Sequence, residues 1–344
     1  MKNRIFRITL LLCWAGFLGA GALTAQTTGR LRVCGQNMQN YYINYDNYQS
    51  TRANYGATTF ANKTRKIVNA FLEMDADIYA LCEVEACALV LDQLADSLNK
   101  YAGEDVYAAV KDGINVPWDS YDNNLKSGFI YRLDKVKPYK SNTAASSWNY
   151  YKNTMRIQAF EELSSGERLV VSMNHFKAKT GDGGESTRLT NADHLINALK
   201  KSLGDPDILI LGDLNCTVEE EPLKRIIKAG YEEQILRFEP DAYSHCYKGS
   251  GDLIDHALAN ASMSEQIVYA YVNHICTTSC GVNNATRSYS DHDPCIVEIN
   301  LGDDQAIEAV SSQSSAVSYK ILRDGVLLII RGDKVYTITG QVVQ

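Results

Sequence analysis

Short apolar runs alternate with amphipathic stretches along the chain between about Gly29 and Gly302. Short continuous apolar runs are typical of buried strands, whereas apolar residues spaced three or four apart indicate helices. We predict strands at Leu31–Cys34, Asp77–Cys82, Gly128–Tyr131, Leu169–Met173, Asp207–Leu211, Leu253–Leu258 and Cys295–Ile299. We predict helices at Thr64–Met74, Leu91–Leu98, Arg188–Leu203 and Glu220–Ala229. This order favours an α/β core in which helices cover sheets.

Residues 1–25 have the pattern of a secretory signal peptide. Lys2, Arg4 and Arg7 form a basic start, the apolar run Ile8–Leu23 follows, and small residues come next. The run is short for a membrane span, so a cleaved signal fits better than an N-terminal anchor. We therefore expect an exported protein, located in the periplasm, on the cell surface or outside the cell, with no transmembrane segment after cleavage.

The remaining chain divides by composition. One large domain is expected over residues 26–302, followed by a linker at 303–318 that contains the serine-rich segment Ser311–Ser315. The tail at 319–344 has strand patterns separated by turn residues. It resembles short C-terminal β modules of exported Bacteroidetes proteins, some of which are sorting signals. The segments that carry this likeness are Ile321–Gly325 and Tyr336–Gly340.

Cysteine usage adds one covalent expectation. The chain has nine cysteines, of which Cys13 would leave with the signal peptide. Cys276 and Cys280 are close together in a polar loop of a chain expected to be exported, which favours a disulfide between them. Zinc is the competing interpretation, but no second cysteine pair or suitably spaced histidine completes four ligands.

Six polar fragments carry the candidate chemistry, and most of them directly follow a predicted strand. Each fragment alone has a structural explanation, such as a helix cap or a hydrogen-bonded core histidine. Strand ends, however, are where a rigid scaffold brings side chains together in one cleft. The fragments are Gln36–Met38, Leu81–Glu85, Val171–Lys177, Leu211–Asn215, Gly251–His256 and Ser290–Pro294.

Taken in this order and spacing, the fragments resemble the deoxyribonuclease-I-like endonuclease/exonuclease/phosphatase superfamily, and its bacterial secreted branch in particular. The resemblance covers about Arg32 to Ile299. It implies a four-layer sandwich, in which two packed β-sheets are flanked by helices and the active site lies at one edge of the sheets. The positions that match the active site of this family are Asn37, Glu83, His175, Asp213, Asn215, Asp255, Asp291 and His292.

Net charge bears on the cofactor. The chain carries a formal net charge of −7, which becomes more negative if the basic leader is removed. An acidic protein does not attract an anionic ester by itself, so a divalent cation must offset the repulsion at the site. Mg²⁺ suits this task because it takes few carboxylates and keeps water and phosphate as ligands; Mn²⁺ or Ca²⁺ would be alternatives. The resemblance implies Glu83 as the first metal ligand, with Asn37 and Asp291 completing the polar shell.

The resemblance also implies roles for the other positions. His292 would be a general base oriented by Asp255, and Asp213 is the competing base. Asp213 and Asn215 would position the water or the phosphate. His175 would donate a proton to a phosphate oxygen or assist the leaving group.

Basic residues near the fragments are candidates for phosphate contact. They are Lys126, Lys177 and Arg188, with ordinary solvated side chains as the alternative for each. Lys177 follows His175 by two positions, so it would share the same strand face if the strand continued. Asp122 is a loose match for the carboxylate partner of His175.

The function expected from the resemblance is a secreted, metal-dependent phosphodiester hydrolase, and first of all a nuclease. A phosphodiesterase or phosphatase acting on lipid or small-molecule phosphate esters is the alternative, and a non-catalytic surface module comes third. No obligate protein partner is evident. Substrate choice would depend on the loops Tyr41–Phe60, Lys140–Met155 and Asn273–Tyr289, which are rich in Tyr, Asn and Thr. The tyrosines of the first loop would stack on bases, pack on a sugar or serve the structure.

Overall fold

The computed structural model describes residues 30–43, 57–114, 125–144, 154–179, 184–201, 207–280, 282–283, 286–302, 318–323, 326–331 and 334–337. The predicted signal peptide, most of the linker and Asp122 lie outside the described residues. Within these ranges, no helix combines the length and the apolar character that crossing a membrane would require.

The first sheet has six strands and contains both ends of the main domain. Its members are β1 (Arg30–Tyr41), β2 (Ile78–Glu85), β3 (Tyr107–Ala109), β4 (Leu125–Arg132), β13 (Ile267–Val272) and β16 (Cys295–Asn300). Their spatial order is β13-β16-β1-β2-β4-β3. Only β1 and β2 run parallel, and β1 pairs on its other side with β16 in antiparallel register.

The second sheet also has six strands. Its members are β5 (Val136–Ala144), β6 (Met155–Glu162), β7 (Arg168–His175), β8 (Ile208–Asp213), β9 (Tyr231–Glu233) and β12 (Asp255–Asn260). The order β5-β6-β7-β8-β12-β9 places the parallel pair β7 and β8 in the middle. Both sheets therefore have one parallel pair at their centre, and the carboxyl ends of these four strands face the same region.

Four helices cover the outer faces of the two sheets: α1 (Ala57–Met74), α2 (Val90–Ala102), α3 (Gly184–Leu199) and α4 (Glu221–Lys228). Two short helices, α5 (Ile235–Phe238) and α6 (Ala261–Gln266), pack against the core between the sheets. The predicted helix at 64–74 is confirmed and begins earlier, while those at 91–98, 188–203 and 220–229 are confirmed with shifted ends. Helix α1 buries Ile67, Phe71 and Met74 against the first sheet, as its apolar spacing predicts.

Alternation along the strands explains the four layers. On β2, Ile78, Ala80 and Cys82 point into the core between the two sheets, whereas Tyr79 and Leu81 point toward α1 and α2. On β8, Leu209 and Leu211 point into the core between the sheets, whereas Ile208 and Ile210 point toward α3 and α4. Because side chains of a strand alternate between faces, strands buried on both sides read as continuous apolar runs. The predicted four-layer sandwich is confirmed.

Some elements differ from the sequence predictions. Strands β5 and β6 were not predicted, because both carry many polar residues and lie at or next to a sheet edge. They overlap both ends of the predicted substrate loop Lys140–Met155, so the described ends of that segment are paired strand residues. A short hairpin formed by β10 (His245–Tyr247) and β11 (Ser250–Asp252) was also not predicted.

The disulfide prediction was wrong in its pairing. Cys280 is bonded to Cys246 of β10, and Cys276 is a buried free thiol. Proximity in the sequence favoured Cys276 as the partner of Cys280, but the hairpin brings the more distant Cys246 next to Cys280 instead. The bond fixes this hairpin to the segment that contains β14 (Thr277–Ser279), which pairs with β15 (Val282–Asn283).

The C-terminal tail forms strands, as its turn pattern predicts. The described residues form an antiparallel sheet of β17 (Ser318–Arg323), β18 (Val326–Arg331) and β19 (Lys334–Thr337). The turn residues Asp324–Gly325 and Gly332–Asp333 lie outside the described residues. A sorting role for the tail stays a prediction.

Gly212 is the position where backbone packing is tightest at the centre of the second sheet. A Cβ added there would lie 2.0 Å from the carbonyl oxygen of Asn174, and its φ of +138° disfavours other residues. Gly230 also has a positive φ, of +102°, but a Cβ there meets no atom within 4 Å. A substitution at Gly230 therefore tests the cost of the backbone conformation alone, whereas one at Gly212 adds the cost of the steric clash.

We predict that Gly212→Ala destabilises the protein clearly more than Gly230→Ala. Backbone strain alone costs about 1–3 kcal/mol, and at Gly212 the strand of Asn174 must also move. Urea unfolding of both variants in EDTA measures the difference. Equal losses of stability would show that the close approach to Asn174 carries no cost.

Candidate active site

Five of the predicted site residues lie on the central strands of both sheets. Asn37 and Glu83 are on β1 and β2, His175 and Asp213 end β7 and β8, and Asp255 begins β12. In the second sheet, Asp213 is the register partner of both His175 and Asp255. The structure therefore brings these residues together at one edge of the sandwich, as the resemblance implied.

Asn37 faces this edge by the regular alternation of β1, whereas Glu83 reaches it through irregular backbone. The pairing of β1 with β2 shifts register after Asn37, and the pairing of β2 with β4 shifts between Leu81 and Val84. Glu83 lies inside the second shift and has a φ of +55°. A bulge turns a side chain away from the direction that the pleat would give it. The bulge at Glu83 thus turns its side chain toward the one that Asn37 presents by regular alternation.

Asn37 joins the two sheets by hydrogen bonds. Its Nδ2 donates to Oε1 of Glu83 at 3.1 Å and to Oδ2 of Asp213 at 3.0 Å. Its Oδ1 accepts the backbone N–H of Gln39 at 2.9 Å. The amide nitrogen thus holds two carboxylates in place, and the amide oxygen already accepts a hydrogen bond. The structure thus places Asn37 as a donor to the predicted ligand Glu83, and its own role as a metal ligand stays a prediction.

His175 lies between the two carboxylates. Its Nε2 is 3.6 Å from Oε1 of Glu83 and 3.8 Å from Oδ2 of Asp213. Its Nδ1 is buried and, among the described residues, accepts or donates no hydrogen bond. The partner predicted for it, Asp122, is outside the described residues.

His292 and Asp255 form the shortest contact of the site. Nδ1 of His292 is 2.6 Å from Oδ2 of Asp255, and both groups are buried. Nε2 of His292 faces the other way and lies 3.8 Å from Oδ2 of Asp213. The bond to Asp255 therefore fixes the imidazole so that Nε2 points to the carboxylates.

Ser244 supports the pair of His292 and Asp255, and it was not predicted from the sequence. Its hydroxyl donates to Oδ2 of Asp255 at 2.7 Å and accepts the backbone N–H of Asp255 at 2.9 Å. Its carbonyl oxygen accepts the N–H of Asp293 at 2.8 Å. Its only sequence signal is a place shortly before the fragment that contains Asp255, and a lone serine there predicts nothing.

The electrostatics of the site follow from burial and crowding of charge. Burial raises the pKa of the Asp213 carboxyl, and the nearby Asp255 and Glu83 carboxylates act in the same direction. Burial also opposes charge on Asp255 and His292, but their mutual attraction and hydrogen bond outweigh it. The pKa of Asp255 is consequently lowered and that of His292 is raised well above its usual range.

Asn215 and Asp291 lie at the margin of the group. Asn215 has a φ of +51°, and its Nδ2 donates to the carbonyl oxygen of Phe176 at 3.2 Å, while its N–H binds Oδ1 of Asp213. Asp291 is the most open member, with a side chain 45% exposed and Oδ1 3.9 Å from Nε2 of His292. Asn215 therefore fixes Asp213, and Asp291 faces solvent.

The three basic candidates have different positions. Lys126 is fully buried in an ion pair with Asp112 at 2.8 Å, so its ammonium does not face an open cleft. Arg188 is buried on α3, where it donates to the carbonyl oxygen of Lys177 at 3.3 Å. Both arrangements are structural and differ from the expected phosphate contact.

Lys177 is the most available of the three. Strand β7 ends at His175, so the two residues do not share a strand face, contrary to the expectation. The backbone N–H of Lys177 binds Oδ1 of Asn191, and its side chain is half-buried. Among the described residues, no hydrogen bond or ion pair engages its ammonium.

Several groups in the site have the donor atoms that a cation requires. The ligand atoms of Glu83, His175 and Asp213 lie within 4.8 Å of one another. Two of the three are carboxylates, half-buried Glu83 and buried Asp213, and the buried amide of Asn37 donates a hydrogen bond to each of them. Such a donor set fits one divalent cation that keeps water or substrate as further ligands.

We predict that Asp255→Asn lowers the pKa of His292, because the imidazolium loses its buried carboxylate partner. Stability from the raised pKa of His292 is lost as pH rises through that raised value, and stability from the lowered pKa of Asp255 is lost as pH falls through that lowered value. The variant should therefore lose most stability between these two limits, where wild type holds the imidazolium against the carboxylate. NMR titration in EDTA measures the pKa. As the matched control, Glu233→Gln should lower the pKa of His256 instead. An unmoved His292 titration in Asp255→Asn would disprove the coupling.

The fold of the chain is similar to that of several solved structures. No protein-family model and no curated protein matches the chain. An endonuclease/exonuclease/phosphatase family protein from Bacteroides thetaiotaomicron matches with 17% identity over 78% of this chain and 97% of that one, at a TM-score of 0.57. A mannosyl-6-phosphatase of the same species matches with 16% identity over 78% and 99%, at 0.56. The human Nocturnin catalytic domain with bound sulfate matches with 15% identity over 78% and 94%, at 0.54. The chain therefore has the fold of the endonuclease/exonuclease/phosphatase family, as its sequence resemblance implied.

Proposed function

We propose that the protein is a divalent-metal-dependent hydrolase of phosphate esters, and in the first place a phosphodiesterase that acts on nucleic acid. The observation that carries the proposal is the meeting of Glu83, Asp213, His175 and His292 at the sandwich edge. These side chains come from both sheets and lie within 3.6–3.8 Å of their neighbours in the group. Paired carboxylates and imidazoles at such spacing supply ligands, a base and an acid for hydrolysis.

Glu83 and Asp213 would hold the cation, with Asp291 as a further carboxylate near the opening. When bound, Mg²⁺ or another divalent ion such as Mn²⁺ or Ca²⁺ would neutralise charge on the phosphoryl oxygens. The hydrogen bonds from Asn37 keep the two carboxylates oriented and reduce their mutual repulsion. The residues thus fit the cofactor that the acidic chain requires for an anionic substrate.

His292 would act as the general base. Its Nδ1 is held by Asp255, so Nε2 faces the carboxylates and would accept a proton from the attacking water when the ring is neutral. A divalent cation bound nearby would favour the neutral ring and so oppose the raised pKa of His292. Asp255 stabilises the imidazolium that results. Asp213, 3.8 Å from Nε2, would orient the water; the raised pKa of its carboxyl keeps it as the competing base.

His175 would stabilise the phosphoryl group or protonate the leaving oxygen. Its Nε2 faces the same space as the carboxylates, and its ring is otherwise buried. Lys177 would contribute positive charge next to it, since its ammonium is accessible. Together these two residues would offset the negative charge that develops in the transition state.

The substrate class divides into two candidates. Nucleic acid remains the first expectation, with endo or exo cleavage open. A small-molecule or lipid phosphate ester is the alternative, favoured by the likeness to a mannosyl-6-phosphatase. We also propose export of the protein, on the strength of the predicted signal peptide and of the disulfide between Cys246 and Cys280. A non-catalytic surface module ranks third, because the catalytic set is complete.

An assay with bis-p-nitrophenyl phosphate, with and without Mg²⁺, tests the reaction class. A panel of DNA, RNA, sphingomyelin, phosphoinositide and a sugar phosphate then identifies the substrate. Lack of hydrolysis across the panel with every divalent ion would leave the non-catalytic alternative standing.

We predict that EDTA abolishes hydrolysis and that Glu83→Gln raises the Mg²⁺ concentration for half-maximal rate by at least about tenfold. The reason is the loss of one anionic ligand. Glu85→Gln is the matched control, because Glu85 follows on the same strand and binds the backbone N–H of Ile43 instead. Full activity in excess EDTA, or equal effects of the two variants, would contradict the assignment.

We predict that Asp255 acts through His292. His292→Ala should lower kcat by roughly 10²–10⁴-fold, and Asp255→Asn should lower kcat and move the acidic limb of the pH–rate profile to lower pH. In the double variant the losses should be far from additive, since the two groups act as one unit. Fully additive losses, or an unmoved pH profile, would show that Asp255 serves only the fold.

A further inference from the structure

His245 is a second histidine beside His292 that neither the fold nor the proposed mechanism uses. It begins β10 and forms an isolated β-bridge with His292, and the two rings lie 4.7 Å apart at an angle of 36°. The next residue, Cys246, is bonded to Cys280. Backbone pairing on one side and a disulfide on the other therefore fix the position of His245.

Three donor atoms converge at this place. The ligand atoms of His245, Asp291 and His292 lie within 4.8 Å of one another. In the described part of the chain, no hydrogen bond engages the ring nitrogens of His245 or the carboxylate of Asp291. Half-buried His245 and Asp291, whose side chain is 45% exposed, leave the group open to solvent.

His292 is oriented as a metal-binding histidine usually is. The buried carboxylate of Asp255 lies 2.6 Å from Nδ1, so Nε2 is the nitrogen left to bind an ion, and it lies 3.9 Å from Oδ1 of Asp291. Such a carboxylate behind the ring fixes the tautomer and raises the basicity of the donor nitrogen. The positioning that makes His292 a base thus also makes it a ligand.

The donor chemistry differs from that of the first group. Two imidazoles and one carboxylate with an open fourth position suit Zn²⁺ and neighbouring late divalent ions, whereas Mg²⁺ prefers oxygen ligands. Glu83, Asp213 and His175 offer two carboxylates and one imidazole. The edge of the sandwich therefore contains two adjacent groups with different ion preferences.

We propose that His245, Asp291 and His292 form a binding site for Zn²⁺ or a similar ion, and that occupation of this site inhibits the enzyme. Binding itself is independent of the proposed function. Inhibition rests on that function, because an ion on Nε2 of His292 removes the lone pair that would accept the proton from water.

Direct binding is the first test. Zn²⁺ is titrated into full-length protein in competition with a chromophoric chelator, in the presence of millimolar Mg²⁺ to occupy hard sites. Wild type should bind Zn²⁺, and both His245→Gln and Asp291→Asn should weaken the affinity by at least about tenfold, a loss that even residues behind a ligand produce. His194→Gln, on α3 outside the group, is the matched control.

Equal affinity of wild type and His245→Gln would overturn the site, as would an equal loss in His194→Gln. Thermal melts of the variants without Zn²⁺ establish that each is folded. Asp291→Asn provides the second variant if His245→Gln melts early.

Activity is the second test. In Mg²⁺ excess, stoichiometric Zn²⁺ should inhibit wild type, while His245→Gln should keep its basal rate and lose the inhibition. If Zn²⁺ binds as predicted but no substrate is hydrolysed, the proposed function fails and the site stands. If Zn²⁺ inhibits both proteins equally, the inhibitory role of this site is wrong.

Discussion

Two hydrogen bonds from the amide of Asn37 connect the sheets at the point where charge is concentrated. They reach Glu83 in the first sheet and Asp213 in the second, and both carboxylates are held close to His175. Carboxylates in a poorly hydrated edge repel each other and favour protonation, so they persist there only with donors or cations beside them. The rest of the site is arranged around this requirement: Asn215 supports Asp213, and Ser244 together with His292 supports Asp255.

The same edge collects the unusual backbone of the molecule. Glu83 and Asn215 have positive φ angles, and Gly212 accepts a contact that no side chain would permit. Irregular conformations persist where surrounding structure determines them fully. Here the two packed sheets provide that support. A few side chains at the edge therefore depart from the in-and-out alternation of the strands, while those in the core between the sheets follow it.

The central strands could be predicted from local patterns, because Ile78–Cys82 and Ile208–Leu211 are continuous apolar runs that end close to Glu83 and Asp213. The grouping of the site residues came from the family resemblance of six fragments, since each fragment alone has a structural explanation. The features that were not predicted depend on contacts between residues far apart in the sequence. Strand β5 has no apolar run, Ser244 and His245 gain meaning only from the approach of His292, and Cys246 was not considered as the partner of Cys280. Lys126 looked like a surface cation because its neighbour Asp112 is far from any recognisable fragment.

The pairing of β1 with β16 makes the first strand of the domain a neighbour of the last. Asn37 lies on one and His292 lies three positions before the other, and the side chain of Gln36 donates to the carbonyl oxygen of His292 across 256 positions. Contacts of such separation form late in folding, since a long loop must close before they bring any gain. A ribosome-bound chain that stops short of Asn300 would therefore carry Glu83, His175 and Asp213 with β1 still an open edge. The candidate site would be complete only after the last strand, β16, has been synthesised.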